Sequence, residues 1–417
     1  MQTNKFRFIV IGGGTGGISI SARLRKKFPN DSIAIIEPSE NHYYQPLWTL
    51  VGGGVVPKEI TCRPMEKLIP SKVTWIKAKV TELLPDKNSI KISTEEIINY
   101  DYLVLSPGLK VDFDKIPGLS GNLGKNGLCS IYDYEQSGKT FEQLNAFAGG
   151  TALFTFPPMP IKCAGAPQKI MYLAEELFRM KGIREKSDVH YFSNLPTIFG
   201  VPTFAKALMG VIQSRRIKTH FLHKLVEVRA DQKIAIFEKV AAPPAPGAPA
   251  GTAPIDPHLG EKIEVTYDFL HVTPPNSPLE FISQSPLAWS EGPHKGWLQV
   301  DQFTLQSPKY SNVFGLGDVT GIPNAKTGAA IRKQAPLLLE NLLDVINGRN
   351  PSKKYDGYSS CPLVTSRKTV ILAEFGYDGK LLPSFPVDQT KERFIFWILK
   401  RYLLPKIYWW GMMKGYL

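Results

Sequence analysis

The run Phe8-Ile9-Val10-Ile11-Gly12-Gly13-Gly14-Thr15-Gly16-Gly17 constrains this chain more than any other stretch. An apolar strand runs into Gly12, and a helical pattern of Ile18, Ile20, Ala22 and Leu24 opens after Gly17. Gly12, Gly14 and Gly17 fill the GxGxxG positions, which permit a tight turn, close backbone approach to a pyrophosphate and close packing of helix on strand. The phosphates would rest on unpaired N–H groups at the helix N-terminus. A second apolar run, Ser32-Ile33-Ala34-Ile35-Ile36, delivers Glu37 where a carboxylate binds ribose hydroxyls. A glycine-rich turn alone also occurs without a ligand. Here strand, helix and acid coincide, and the reading is a β-α-β unit built for a dinucleotide.

At 417 residues the chain is long enough for two or three separate cores. Its net charge of +13 asks for an anionic partner. With no zinc-ligand spacing and no arginine-rich arm, nucleic acid is not expected. Anionic lipid is favoured instead, because from Lys391 onward there are six basic residues and one acid. The cysteines stand at positions 62, 129, 163 and 361, with no CxxC among them. Neither a disulfide scaffold nor a metal site is expected from that spacing. No signal or transit segment is read at the start of the chain, and no run of about 20 apolar residues reads as a membrane-spanning helix.

Further along, Val73–Ile76, Ile90–Ile92 and Tyr102–Leu105 read as short strands, the last ending in Ser106-Pro107-Gly108. A second nucleotide-type unit begins near Thr151, with a strand over 152–156, a helical stretch over 170–177 and a strand over 189–192. Its connecting loop, Pro157 to Pro167, holds one glycine and four prolines and no GxGxxG. Proline donates no N–H, so this loop is poorly built to cradle a pyrophosphate. The second unit therefore reads as a dinucleotide fold that has lost its nicotinamide site. Residues 241–260 hold six prolines and read as a surface insertion between strand-like runs at Lys233–Val240 and Lys262–Val272. The segment from Tyr267 to Pro275 repeats the shape of residues 100–108, which fits two related halves. The strand at Asn312–Gly315 ends in Gly317-Asp318, either a turn aspartate or a ligand for ribitol hydroxyls. A helical pattern follows from Thr327 to Leu343, whose N-terminal dipole, with Lys326, would favour negative charge on a flavin pyrimidine.

The expected fold is thus α/β, with two Rossmann-like domains and a C-terminal amphipathic segment. The divisions are residues 1–112 and 301–350 for the first domain, 113–300 for the second and 351–417 for the C-terminal region. Cys163 follows a strand, sits beside Lys162 and precedes a helix expected near Pro167. A cation and a helix N-terminus both favour thiolate. Cys361 lies in the turn-like Ser359-Ser360-Cys361-Pro362-Leu363. Two small buried hydrophobes are the plain alternative for both, and Cys62 and Cys129 read as structural.

At these residues the chain resembles the sulfide:quinone oxidoreductases, in particular the eukaryotic mitochondrial type. The resemblance rests on Gly12–Gly17, on Glu37–Glu40 with Tyr44–Pro46, on Lys162–Lys169, on Gly317-Asp318 with Lys326-Thr327, and on Tyr355–Tyr358 leading into Ser360–Leu363. It implies a disulfide-reductase-like fold and an FAD cofactor held by Gly12, Gly14, Thr15, Gly16, Gly17, Glu37, Gln45, Val80, Asp318, Lys326, Thr327, Gly328 and Ala329. It implies that Cys163 and Cys361 are the catalytic pair, bridged by sulfur at rest. Hydrosulfide would attack at Cys361, and the sulfur anion released on Cys163 would pass two electrons to FAD and thence to ubiquinone. The sulfane sulfur would go to glutathione, with sulfite or cyanide as alternatives. A type II NADH:quinone oxidoreductase and a membrane-associated flavoprotein with a mainly partner-binding role are the competing readings.

The C-terminus interleaves Phe394, Ile395, Phe396, Trp397, Ile398 and Leu399 with Lys391, Arg393, Lys400 and Arg401, and three of seven tryptophans fall in the last 21 residues. Pro405 is expected to split it into two short helices lying in the membrane interface. A helix pair packed on the core or at a dimer contact is the alternative. The location implied is the mitochondrial inner membrane, peripheral or monotopic.

Overall fold

The computed structural model describes residues 4–242 and 256–417, so most of the Pro-rich stretch at 241–260 lies outside the described residues. The glycine motif sits as read, between the strand Lys5–Ile11 and the helix Thr15–Lys27, with Ile33–Ile36 as the next strand. Ile33–Ile36, Lys5–Ile11 and Ile97–Leu105 lie side by side in parallel. Thr74–Ile76 extends the sheet beyond Ile33–Ile36, and Ser89–Ile92 and Val80–Leu84 extend it antiparallel on the other side. Val313–Gly315 returns from the far part of the sequence to pair in parallel with Ile97–Leu105. That return brings Gly317 and Asp318 to the same sheet edge as Gly12. Ile33–Ile36, Val313–Gly315 and the ends Phe8–Ile11 and Leu103–Leu105 of their neighbours are buried on both faces, hence their continuous apolar runs.

The second sheet has five parallel strands in the order Leu128–Cys129, Phe269–His271, Gly150–Phe156, Ser187–Ser193, Lys218–Phe221. The helix Ala166–Met180 connects its middle strands. Phe269–His271 lies beside Gly150–Phe156 as Ile97–Leu105 lies beside Lys5–Ile11, so the repeated shape at 100–108 and 267–275 reflects a repeated position. The run read as one strand over 262–272 is two. Lys262–Thr266 belongs to a separate antiparallel sheet with Ile234–Lys239, and the chain changes sheets at Tyr267-Asp268. Asp268 is held there by Thr151, whose backbone N–H donates to the carboxylate and whose carbonyl accepts from the Asp268 N–H.

Two other expectations need correction. Cys361 is not in a turn but in the strand Ser359–Val364, paired antiparallel with Val370–Phe375. In this two-stranded hairpin an edge tolerates the missing donor of Pro362. Pro405 does not split the C-terminal segment. Phe394–Ile398, Leu399–Leu403, Leu404–Lys406 and Ile407–Gly411 follow one another with right-handed helical backbone at every junction. Leu399–Leu403 and Ile407–Gly411 are wide turns of π type, which absorb the proline ring and its absent N–H. No helix among the described residues is long and apolar enough to cross a membrane.

Gly12 has φ +98°, and a Cβ on Gly17 would lie 1.7 Å from the Gly12 carbonyl oxygen. Gly17→Ala is therefore expected to lower stability by about 1–3 kcal/mol and to loosen the turn. Denaturant unfolding of the flavin-free protein checks this, and an unchanged midpoint would contradict it.

Candidate active site

A cavity of about 460 Å3 is lined by Gly14, Thr15, Gly16 and Glu37 from the first β-α-β unit. Gln45, Cys163, Asp318, Lys326, Thr327, Gly328 and Ala329 lie on the same wall system. Thus most of the residues singled out in the sequence meet in one place. Gly12 and Gly17 stand behind the turn, in contact with each other. Val80 is buried at the start of Val80–Leu84, paired with Ile92, and is not on the cavity wall.

The first helix begins at Thr15 with no side-chain cap, and a Cβ on Gly14 would meet nothing within 4 Å. Uncapped N–H groups opening onto free space suit a pyrophosphate. Glu37 is fixed by accepting from the N–H of Gly13 (2.6 Å) and of Ser39 (2.7 Å), which leaves lone pairs for ribose hydroxyls. At the other sheet strand, burial pushes the Asp318 carboxyl up, opposed by Lys326 and Lys162. The helix Gly328–Ile346 is capped by Thr327, whose hydroxyl accepts from the Ala330 N–H. These residues fit FAD.

Lys326 differs from expectation. Its ammonium donates to the carbonyls of Asp318 (2.7 Å) and Thr320 (2.9 Å) and lies over the Trp297 ring. Burial lowers its pKa to about 8, with Asp318 opposing the effect. Its own carbonyl accepts from the Cys163 N–H at 2.9 Å and so ties the cysteine loop to the flavin-side loop.

Cys163 and Cys361 come from different sheets and meet. Cys163 has φ +51° and turns its sulfur to the cavity two residues before the helix cap Gly165. Cys361 is buried, and its Sγ packs so close to Gly165 that a Cβ there would approach it to 2.4 Å. The two cysteines interact side chain to side chain: the neighbouring Cys361 thiol, helped by Lys169 and Lys400, holds Cys163 well below the ordinary thiol value, while the neighbouring Cys163 and burial push Cys361 up. The thiolate of the reduced pair is therefore Cys163. Lys169 donates to it at 3.6 Å, and both Lys169 and Lys400 add positive potential.

Those two lysines were not assigned a role from the sequence. Lys169 is 3% exposed, and the paired sulfurs oppose the effect of its burial and raise its pKa. Lys400 is 2% exposed, donates to the Pro46 carbonyl, and is lowered by burial to about 7. A signal existed: Lys400 follows Phe396 by one helical turn, on the face that is buried.

The hairpin also explains the second unit. Cys361 and Leu363 crowd Gly165, at the helix N-terminus where a pyrophosphate would approach in a dinucleotide fold. That N-terminus is occupied by the protein's own chain.

A flavoprotein of the disulfide-reductase class is what this geometry defines: a dinucleotide turn, a second Rossmann-like sheet, and a cysteine pair of which Cys163 lines the cavity while Cys361 is buried behind it. Residues 6–146 match the family model described as pyridine nucleotide-disulphide oxidoreductase. The mitochondrial sulfide:quinone oxidoreductase of Mus musculus is 42% identical over 413 residues, 99% of this chain and 87% of the mouse protein. That of Dictyostelium discoideum is 42% identical over 414 residues, with the same shares. The structure of the Aquifex aeolicus sulfide:quinone oxidoreductase superposes with a TM-score of 0.78 at 21% identity, covering 98% of this chain and 91% of that one. This chain belongs to the sulfide:quinone oxidoreductase family. Its cofactor is FAD.

Lys169→Met removes the ammonium in contact with Cys163. The pH midpoint for alkylation of Cys163 by iodoacetamide is expected to rise by about 1–3 units, with thiolate lost at pH values where the wild type retains it. An unmoved midpoint would show that Lys169 does not hold the anion.

Proposed function

We propose that Cys163 and Cys361 are the site at which this sulfide:quinone oxidoreductase takes sulfur and electrons from hydrogen sulfide. The observation that carries the reading is that Cys361 Sγ packs against Gly165, two residues from Cys163, and that Cys163 lines the cavity that also holds the glycine turn. Bound FAD, held by the residues named above, supplies a two-electron acceptor that ubiquinone reoxidises. At rest the two cysteines are joined through sulfur. Hydrosulfide attacks at the buried Cys361, a new S–S bond forming there as the bond from Cys361 to the bridge breaks, so Cys361 carries the sulfane sulfur as a persulfide and the electron pair of the broken bond leaves on the Cys163 side. Cys163 is the leaving sulfur, and Lys169 and Lys400 stabilise its negative charge. The N–H of Cys163, fixed by the Lys326 carbonyl, holds the loop in its left-handed conformation through these exchanges. With a thiol such as glutathione as acceptor, hydrosulfide, thiol and quinone give a persulfide anion and quinol, with hydrogen and charge balanced; sulfite is the alternative acceptor.

The membrane reading is supported by the outer face of the C-terminal segment. Phe394, Ile395, Tyr402, Leu403, Trp410, Tyr416 and Leu417 are exposed there, among Arg393, Arg401, Lys406 and Lys414. An apolar stripe bordered by cations suits an in-plane seat at an anionic lipid surface, where a lipid-soluble quinone is met. The relatives named as mitochondrial, together with the quinone, favour peripheral attachment at the mitochondrial inner membrane.

Cys163→Ser and Cys361→Ser are each expected to retain FAD while losing anaerobic bleaching of the flavin by micromolar sulfide. Either variant with full bleaching would refute the thiol relay. NADH is expected to leave the wild-type flavin oxidised. Removal of residues 391–417 would also strip Lys400 and Tyr408 from the cavity, so the membrane seat is better tested on its surface. Tyr402→Ser with Leu403→Ser and Trp410→Ser should weaken flotation with anionic liposomes and reduce turnover with long-tailed quinones more than with short ones. Equal loss with both quinones would count against the seat.

A further inference from the structure

The buried face of the C-terminal segment reaches the glycine turn itself. Tyr408 is 3% exposed and its ring lies 4.3 Å from that of Tyr44. Its phenol oxygen is 2.9 Å from the Thr15 hydroxyl and 2.5 Å from His42 Nε2, and His42 Nδ1 is 2.8 Å from the Gly13 carbonyl oxygen. The polarity of this chain of bonds follows from its last member. A carbonyl only accepts, so Nδ1 carries the hydrogen and donates to Gly13. His42 is 2% exposed, and burial keeps it neutral, so Nε2 has a lone pair and accepts the Tyr408 hydrogen. Tyr408, having given its one hydrogen away, accepts from the Thr15 hydroxyl. Gly13 and Thr15 are thus fastened from outside on both sides of Gly14, and Glu37 takes the Gly13 N–H.

This arrangement leaves the N–H groups at the start of the helix aimed into the cavity with no protein partner while it fixes the turn that presents them. We propose that Tyr408 is a positioning residue for the flavin: through His42 and Thr15 it holds the pyrophosphate turn in shape, so that retention of FAD depends on the C-terminal segment being seated. Coupling of this kind is reciprocal, and bound FAD in turn holds the segment down. The inference rests on FAD lying at the glycine turn.

Tyr408→Phe keeps the ring and removes only the hydroxyl, leaving His42 Nε2 without its donor. After dilution, recovery of free-flavin fluorescence is expected about tenfold faster from this variant than from wild type, the size of one buried hydrogen-bond partner lost. The flavin-free variant is expected to unfold only a few degrees lower than flavin-free wild type, and release is compared at a temperature where both stay folded. Equal release rates would overturn the inference, and so would a flavin-free variant that unfolds early enough to account for the loss. A second measurement needs no variant: on stripping FAD from the wild type, backbone amides of residues 407–413 are expected to exchange hydrogen faster. Unchanged exchange would overturn the coupling. Protein purified with no flavin at all would instead overturn the cofactor reading, whereas flavin bound and released at equal rates overturns only the role of Tyr408.

Discussion

A sulfur anion inside a protein needs a cation brought to it, and this requirement organises the molecule. Cys163 hangs from the end of one sheet and Cys361 from a separate hairpin, and neither environment alone favours charge. The two ammonium groups that do favour it come from a helix of the second unit and from the C-terminal segment. Each would be costly to bury without the anion. Lys400 is drawn toward neutrality by burial and by Lys169, and back toward charge by the two sulfurs. Anion and cations favour one another's charge, and the hairpin, the helix and the tail each contribute one member of the cluster.

The same hairpin bears on the second Rossmann-like unit. Its sheet is a faithful parallel arrangement, but the helix N-terminus that would receive a phosphate receives Cys361 and Leu363 instead. The side chain seated there is the uncharged Cys361, and the charge on the neighbouring Cys163 is met by Lys169 and Lys400. The hairpin Ser359–Phe375 thus fills the space at this helix N-terminus with Cys361 and Leu363.

Much of this was legible beforehand, for reasons that differ by element. The β-α-β start is local, since the glycines, the apolar strands and Glu37 lie within one short stretch, and the structure follows the reading closely. The parallel strand at 269–271 was legible only as an echo of residues 100–108, because its partner strands are distant in sequence. What escaped was governed by tertiary contact. Asp268 ends one strand early because Thr151 takes both its backbone and its side chain. Cys361 joins a strand despite Pro362 because residues 370–375 supply the partner. Lys326 reaches the cavity wall with its ammonium already held by two carbonyls and Trp297. Lys400 and Tyr408 read as parts of a surface helix, and no local pattern announces that a basic side chain will be drawn inward by sulfur.

The wide turns around Pro405 have a consequence for register. Two turns of regular α-helix take about 7.2 residues, while Lys400 and Tyr408 are eight apart and both point inward. One residue of slack is taken up where the backbone widens, so the proline that looked like a break serves as a phase correction. It keeps the amine at the sulfurs and the phenol at the glycine turn on one face of one rod, and fixes the number of residues between them: inserting or deleting one would swing either group by about 100° and unship it from its partner.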